Sequence, residues 1–546
     1  MRLLSLYLLL PLVCAALLFS CACSRASDQH LTKRWLFVWS DLTEPATVDR
    51  IIALFPRAEA AGYNACVFPY AVAPTKLEAF KSAARQHHLD LIPVVMGNSH
   101  DQNYTEGLPA KDALFIARGK AATFIADNPT RAANAGFEDV TGDHFNGWAL
   151  QDNEGKATFA DHEVVHGGKT SLRMENVRTA GEHGHCRLNQ ILKLQPFRQY
   201  HISVWTKTEN WTPAEAEVKL IVGDREISFQ TFPVKRTEDW TRHDIVFNSL
   251  DHTEATLYLG NWSNSTGRLW WDDLAIEEIG LVNVLRRPGC PVTVKGEDGT
   301  VYEEGRDFEY VRDPELHIYR AYHGLPTIHL TPDTRIREGA RLRVSYYHPA
   351  IVYEDRLTSC LSEPKIFDEW RQEIKQANDQ FHPPAFFMSH DELRVMNWCA
   401  LCQSRHMTPG QLLADNVHNA AQVIRDIRPD AEIWVWNDMF DPMHNARDDY
   451  YLVNGAVKGS WEGLDPGIGI VNWHGGLQGK NAKFFADRGE KQVLAGYYDG
   501  SANGEDIVEW LKGVEGVPGI VGAMYTTWQE KYDAMEAWGH AAWGKP

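Results

Sequence analysis

The chain has 546 residues, 44% of them apolar and 11% aromatic, enough for roughly three or four domains with cores of their own and unlike a disordered chain. A formal net charge of −19 argues against the basic surface that phosphate backbones require, so no nucleic-acid partner is expected.

Residues 1–23 read as a lipoprotein signal peptide. Arg2 precedes an apolar run from Leu3 to Phe19, and Leu18-Phe19-Ser20-Cys21 has the form of a bacterial lipobox, whose cysteine would carry the lipid. Plain cleavage is the alternative, with Cys23 close by. The expectation is an exported protein, periplasmic or at the cell surface of a bacterial envelope, touching the membrane only through a lipid anchor. No later apolar run is long enough to span a bilayer.

From residue 30 to residue 128 the pattern is that of βα units. Trp35–Trp39, Ala65–Phe68 and Leu91–Val95 read as strands, and Thr47–Ala61 and Thr75–His88 as amphipathic helices, the first stopped by Gly62. The alternation predicts a parallel sheet. Residues 129–280 instead show short alternating runs, among them Tyr200–Trp205, Glu217–Val222 and Ala255–Leu259, which predict a β-sandwich. Residues 281–350 continue in β character, with a hairpin signal at Asp298-Gly299 and a strand at Arg341–Tyr347.

The βα pattern returns in residues 351–546. A helix over Ile366–Phe381 leads into the strand Ala385–Met388. Thr408-Pro-Gly-Gln411 opens a further helix with a capping box and a buried stripe of Leu413, Val417, Ala420, Ile424 and Ile427. Strands follow at Glu432–Trp436, Ile468–Trp473, Val493–Tyr498 and Ile520–Trp528. Three strands before the insertion and five after it predict an α/β (β/α)8 TIM barrel interrupted after its third strand by a jelly-roll sandwich and a small β-rich module.

Barrel chemistry sits at the carboxyl ends of the strands. Those ends carry Asp41, His100, His390-Asp391-Glu392, Trp436 with Asp438, Trp473, Tyr497-Tyr498-Asp499, and Trp528 with Glu530. Adjacent carboxylates repel, so one of the Asp391–Glu392 pair tends to keep a proton for general acid work; by its local sequence alone the pair reads as charge at a helix start. Apolar sugar faces stack on aromatic rings, and acids move protons and bind hydroxyls, so the set suits a carbohydrate. Single tryptophans are more often barrel filling, but the chain has nineteen, and one stands at the end of three of the last four strands. Cys399 and Cys402 have zinc-knuckle spacing without a second pair; a local disulfide or two free thiols is expected there, and no catalytic metal.

Asn134–Glu138, Gly147-Trp148, Gly167–Leu172, Tyr200–Trp205, Trp240 and Trp270–Asp273 follow the motif order of jelly-roll carbohydrate-binding modules, which the sandwich resembles. That resemblance implies a sugar-binding or purely structural domain with a structural calcium. The barrel segments resemble the family 20 glycoside hydrolases, the β-N-acetylhexosaminidases. The match lies at Pro93 with Gly97-Asn-Ser-His100, at Asp391-Glu392, and at Trp436, Trp473, Tyr497-Tyr498 and Trp528-Gln-Glu530. Ser389-His390 stand where that family has Gly-Gly, Val94 stands where it has an acid, and its strand-one arginine has no counterpart.

The resemblance implies a retaining, substrate-assisted hydrolase. Glu392 would be the acid/base and Asp391 would orient the acetamido nitrogen, with Tyr497 or Tyr498 on the acetamido oxygen. Trp436, Trp473 and Trp528 would wall the pocket and Glu530 would bind hydroxyls. A two-carboxylate glycosidase with Asp499 as nucleophile, and a non-catalytic glycan-binding lipoprotein, are the alternatives.

Overall fold

The computed structural model describes residues 31–97, 101–127, 129–151, 154–180, 182–213, 215–320, 322–353, 357–477, 479–500 and 503–545. The signal segment and His100 lie outside the described residues.

Eight parallel strands close into a barrel in chain order: β1 (Lys33–Val38), β2 (Ala65–Pro69), β3 (Asp90–Val95), β4 (Ala385–Met388), β5 (Glu432–Trp436), β6 (Ile468–Asn472), β7 (Gln492–Tyr497) and β8 (Ile520–Thr527). Closure runs through β1 and β8, with Trp35 opposite Met524. The insertion is bridged by Phe387 opposite Val94 and Met388 opposite Val95. The strands read as apolar runs rather than alternations because helices cover them outside and side chains fill them inside. The filling includes Trp35, Phe37, Ile92, Val94, Phe387, Trp434, Trp436 and Met524. Trp434 meets Trp35 edge to face at 5.0 Å. It fits only because position 469 is glycine, where a Cβ would lie 2.3 Å from the indole.

The helix Pro409–Ile427 starts at the predicted capping box, with Thr408 and Gln411 bonded reciprocally. The helix Pro364–Phe381 buries Ile366, Trp370, Ile374 and Ala377, one stripe at helical spacing. The single helix expected over Thr47–Ala61 is two, Pro45–Ile52 and Phe55–Ala60. Pro56 lacks the N–H that would continue the first, so it opens the second.

The inserted domains are nested rather than consecutive. The hairpin Leu108–Arg118 and Ala121–Phe124, expected within the first barrel segment, belongs to a six-stranded antiparallel sheet completed by strands between residues 293 and 348. Its alternation explains the placement. Ala113, Phe115 and Ala117 share one buried cluster with Leu342, Val344 and Tyr346 of the partner strand Arg341–His348. The chain leaves β3, starts this module, makes the sandwich of two five-stranded antiparallel sheets, and then returns to finish the module. The sandwich's apolar core includes Val395 and Leu452, which follow β4 and β5 of the barrel. No helix among the described residues is long and apolar enough to cross a membrane.

Candidate active site

At the end of β4 the Ser389 N–H still bonds to the Val95 carbonyl at 2.9 Å, and the backbone then turns through Glu392 at φ +50°. Met96, Tyr497, Tyr498, Asp499 and Glu530 also adopt positive φ, all at strand ends on the same rim. Left-handed backbone in non-glycine residues costs about 1–2 kcal/mol each and clusters where side chains are re-aimed.

Cross-loop hydrogen bonds hold this rim. The Glu392 N–H donates to Asp438 Oδ2 at 2.9 Å, tying the β4 loop to the β5 loop. The Trp473 N–H donates to Asn437 Oδ1 at 3.0 Å, tying β6 to β5. Asp499 accepts from Thr527 Oγ1 at 2.5 Å and from the Trp528 N–H at 2.9 Å, tying β7 to β8. Trp528 then meets Trp39 beyond β1 at 5.3 Å between ring centroids.

The rim opens into a cleft of about 340 Å³. Asp391 and Glu392 line it with Trp39, Trp370, Trp436 and Trp528, and Tyr319 reaches in from the small β module. Asp391 accepts from Ser389 Oγ at 3.2 Å. Glu392 is half-buried, and its carboxylate lies 2.8 Å from Nη2 of the buried Arg394. The Arg394 guanidinium sits over Tyr353 at 4.4 Å and over Tyr451 at 5.1 Å, so cation–π contacts hold the group that holds Glu392.

A third carboxyl, Asp438, lies fully buried beneath the pair. Burial first, and then the neighbouring charge of Asp391, push it up to about 7. Its Oδ2 accepts from Glu392 N–H and from Asn445 Nδ2, while Oδ1 has no hydrogen-bond partner. Burial thus drives the Asp438 carboxyl towards its neutral form, and its side chain does not reach the cleft surface. Tyr498 faces the same acids; burial and the charges of Asp391 and Asp438 push its hydroxyl well up. It stacks on Trp473 at 5.8 Å.

His390 lines the cleft beside Asp391 but is only 2% exposed, with Nε2 3.1 Å from Asn416 Oδ1; desolvation pulls it down to about 4, so it is neutral there. Several other expected binding residues are placed elsewhere. Tyr497 is buried and stacked on Tyr525 at 4.3 Å, so Tyr498 is the tyrosine that faces the acids. Asp41 turns back on its own loop, accepting from the Thr43 N–H and Oγ1 at 2.9 and 2.6 Å. Glu530 is exposed and pairs with Arg50 at 3.0 Å. Trp473 packs behind Tyr498 and beside His444 rather than on the cleft lining.

Trp39, Trp370, Tyr319 and Arg394 were not expected there. Arg394 stands two residues after Glu392, but the left-handed turn at Glu392 beside which their side chains pair is visible only in the fold. Tyr319 gave no signal, since only the folded insertion brings it to the barrel. Cys399 and Cys402 are free thiols, not a disulfide.

Residues 132–266 match the family described as a carbohydrate binding domain, in agreement with the motif order of the sandwich. Among solved structures, a family 16 carbohydrate binding module is 18% identical and covers 24% of this chain and 90% of its own, with a TM-score of 0.19. A CBM4 structure is 17% identical over 27% of this chain and 99% of its own, with a TM-score of 0.21. TmCBM61, solved in complex with β-1,4-galactotriose, is 18% identical over 27% of this chain and 95% of its own, with a TM-score of 0.20. No curated protein matches the chain. The sandwich set into the barrel is thus similar to carbohydrate-binding modules.

Proposed function

We propose that the protein is an exported glycoside hydrolase that acts on a poly- or oligosaccharide, retaining and substrate-assisted on N-acetylhexosaminides. The observation that carries the reading is the adjacent Asp391 and Glu392 at the end of β4, in a cleft walled by Trp39, Trp370, Trp436 and Trp528. Glu392 would protonate the leaving oxygen and then take a proton from water. Asp391 would hold the acetamido nitrogen as positive charge develops, and the Tyr498 hydroxyl would donate to the acetamido oxygen. With the nucleophile supplied by the substrate, no second catalytic carboxylate is needed. The two-carboxylate alternative is disfavoured because both Asp499 oxygens are engaged by Thr527 and Trp528.

The sandwich would hold the same glycan near the cleft. Calcium in the sandwich would draw on backbone carbonyls, because among the described residues no three acidic, histidine or thiol side chains converge there. The lipid anchor would be at Cys21.

The test is a panel of aryl glycosides with and without a 2-acetamido group, together with an oxazoline-type inhibitor. Turnover confined to acetamido substrates, with inhibition, is expected. Turnover of plain hexosides alone would overturn the mechanism. A second reading, a glycan-capturing protein with an inactive barrel, rests on the matched sandwich; it predicts glycan binding with no turnover of any substrate, unchanged by Glu392→Gln.

A further inference from the structure

At the edge of the cleft, three thiols and a carboxylate from three separate points of the chain meet in a buried cluster. Cys360, Cys399, Cys402 and Glu106 are each no more than 2% exposed, and their ligand atoms all lie within 4.8 Å of one another. Cys360 Sγ is 3.5 Å from Cys399 Sγ and 3.6 Å from Cys402 Sγ. A disulfide needs about 2.05 Å. The edge of a ZnS₄-type tetrahedron with Zn–S near 2.3 Å is about 3.8 Å. The sulfurs are thus spaced to surround an ion rather than to bond to each other.

The fourth corner is prepared in the same way. Glu106 Oε1 accepts the Trp398 N–H at 2.7 Å and the Cys399 N–H at 2.8 Å, which fixes the carboxylate and leaves Oε2 turned to Cys402 Sγ, 3.6 Å away. The Cys402 N–H points at Cys399 Sγ at 3.4 Å, the backbone-to-sulfur contact typical of a Cys-x-x-Cys turn around a metal. Arg287, buried against the cluster, bonds to the Thr105 carbonyl at 3.2 Å and pairs loosely with Glu363, Nη1 to Oε2 at 3.9 Å. Three thiolates and a carboxylate around a divalent ion carry net negative charge, and a buried guanidinium offsets part of it.

We propose that Cys360, Cys399, Cys402 and Glu106 form a closed four-coordinate site for a thiophilic divalent ion, zinc by ligand type, that pins the catalytic loop to the junctions of the insertion. Sulfur-rich tetrahedral sites select such ions, and four protein ligands leave no open position, so the role is structural. Glu106 lies just after the chain leaves the barrel beyond β3, Cys360 just before it returns, and Cys399 and Cys402 follow the loop that carries Asp391 and Glu392. One ion joins all three. Binding releases the thiol protons to solvent as the thiolates coordinate.

The test uses the full-length protein purified without chelator. Elemental analysis is expected to find one equivalent of zinc per chain, and chelation is expected to lower the melting temperature, with recovery on adding Zn²⁺. Replacement by Co²⁺ should give thiolate-to-metal charge-transfer absorption, lost in Cys399→Ser and in Cys360→Ser. Cys186→Ser, a buried thiol of the sandwich, should keep metal and absorption. If the serine variants fail to fold, the Co²⁺ spectrum of the wild type decides alone. Metal-free protein with no Co²⁺ charge-transfer band overturns the site, whether alkylation mapping then finds free thiols or a disulfide between Cys360 and Cys399 or Cys402.

Discussion

Glu392 is held at both ends: its N–H by Asp438 and its carboxylate by Arg394. If it is the proton carrier, Glu392→Gln should lower kcat by about 10²–10⁴-fold and leave KM within a few-fold, because the amide keeps the shape and loses only the proton. Steady-state kinetics on an aryl acetamido-glycoside checks this, and an unchanged kcat would remove Glu392 from the chemistry. Asp438 makes a separate prediction in stability. Its folded value is raised from 3.8 to about 7, so the folded state holds a proton that the unfolded chain has released. Stability from this group is full below the unfolded value and is lost as pH rises through the folded one, a decline on the order of 2–4 kcal/mol. Urea midpoints between about pH 5 and pH 8 should fall in the wild type and stay flatter in Asp438→Asn; parallel slopes would sink the assignment. The placing of Asp391-Glu392 was legible because strand counting alone puts the pair at the carboxyl-end rim of a barrel. Asp438 was legible as a nearby acid but not as a buried one, since burial is set by Asn445 and the β4 loop folding over it. His390 was legible as a cleft residue but its burial was not: only the folded chain shows Asn416, Trp370 and Phe440 packed around it.

At the scale of elements, the cleft takes one wall from the barrel and one from the insertion. Trp528 is fixed by Asp499 and the helix Pro364–Phe381 delivers Trp370, whereas Tyr319 hangs from the small β module with 53% of its surface exposed. On the proposed function, an aromatic supplied to the cleft by the insertion would meet a second sugar rather than the one at the acids. Tyr319→Ala should therefore raise KM for oligosaccharides about 5- to 10-fold, the loss of roughly 1–1.5 kcal/mol of stacking, and leave aryl monosaccharide kinetics unchanged. Equal effects on both substrates would place Tyr319 at the first sugar. Barrel elements were readable because their apolar runs and capped helices carry strong local signals, as at Thr408-Pro-Gly-Gln411. The hairpin Leu108–Phe124 was not: its sequence reads equally well as a barrel appendage until the distant strand Arg341–His348 is there to pair with it.

The nested connectivity decides how the whole molecule behaves. A domain tethered by a linker would unfold by itself, but here the sandwich shares its core with the barrel through Val395 and Leu452. The backbone adds a Phe229 N–H bond to the Val352 carbonyl at 2.6 Å, Gln230 Nε2 bonds to the Ile351 carbonyl at 3.0 Å, and Arg225 pairs with Asp449. Apolar, well-packed junctions of this kind couple domains, whereas polar ones let them move. The same junction holds Tyr353 over Arg394, so the insertion reaches the group that positions Glu392. Calorimetry should show barrel and sandwich melting in one transition. Val395→Asp places an unpaired carboxylate in the shared core at a cost on the order of 3–5 kcal/mol, and should lower that transition as a unit, with activity and glycan binding lost at the same temperature. Two separated transitions in the wild type, or a Val395→Asp protein whose sandwich melts unchanged, would show that the shared core does not couple the domains. The sandwich would then be cargo on the barrel rather than a part of its active-site frame.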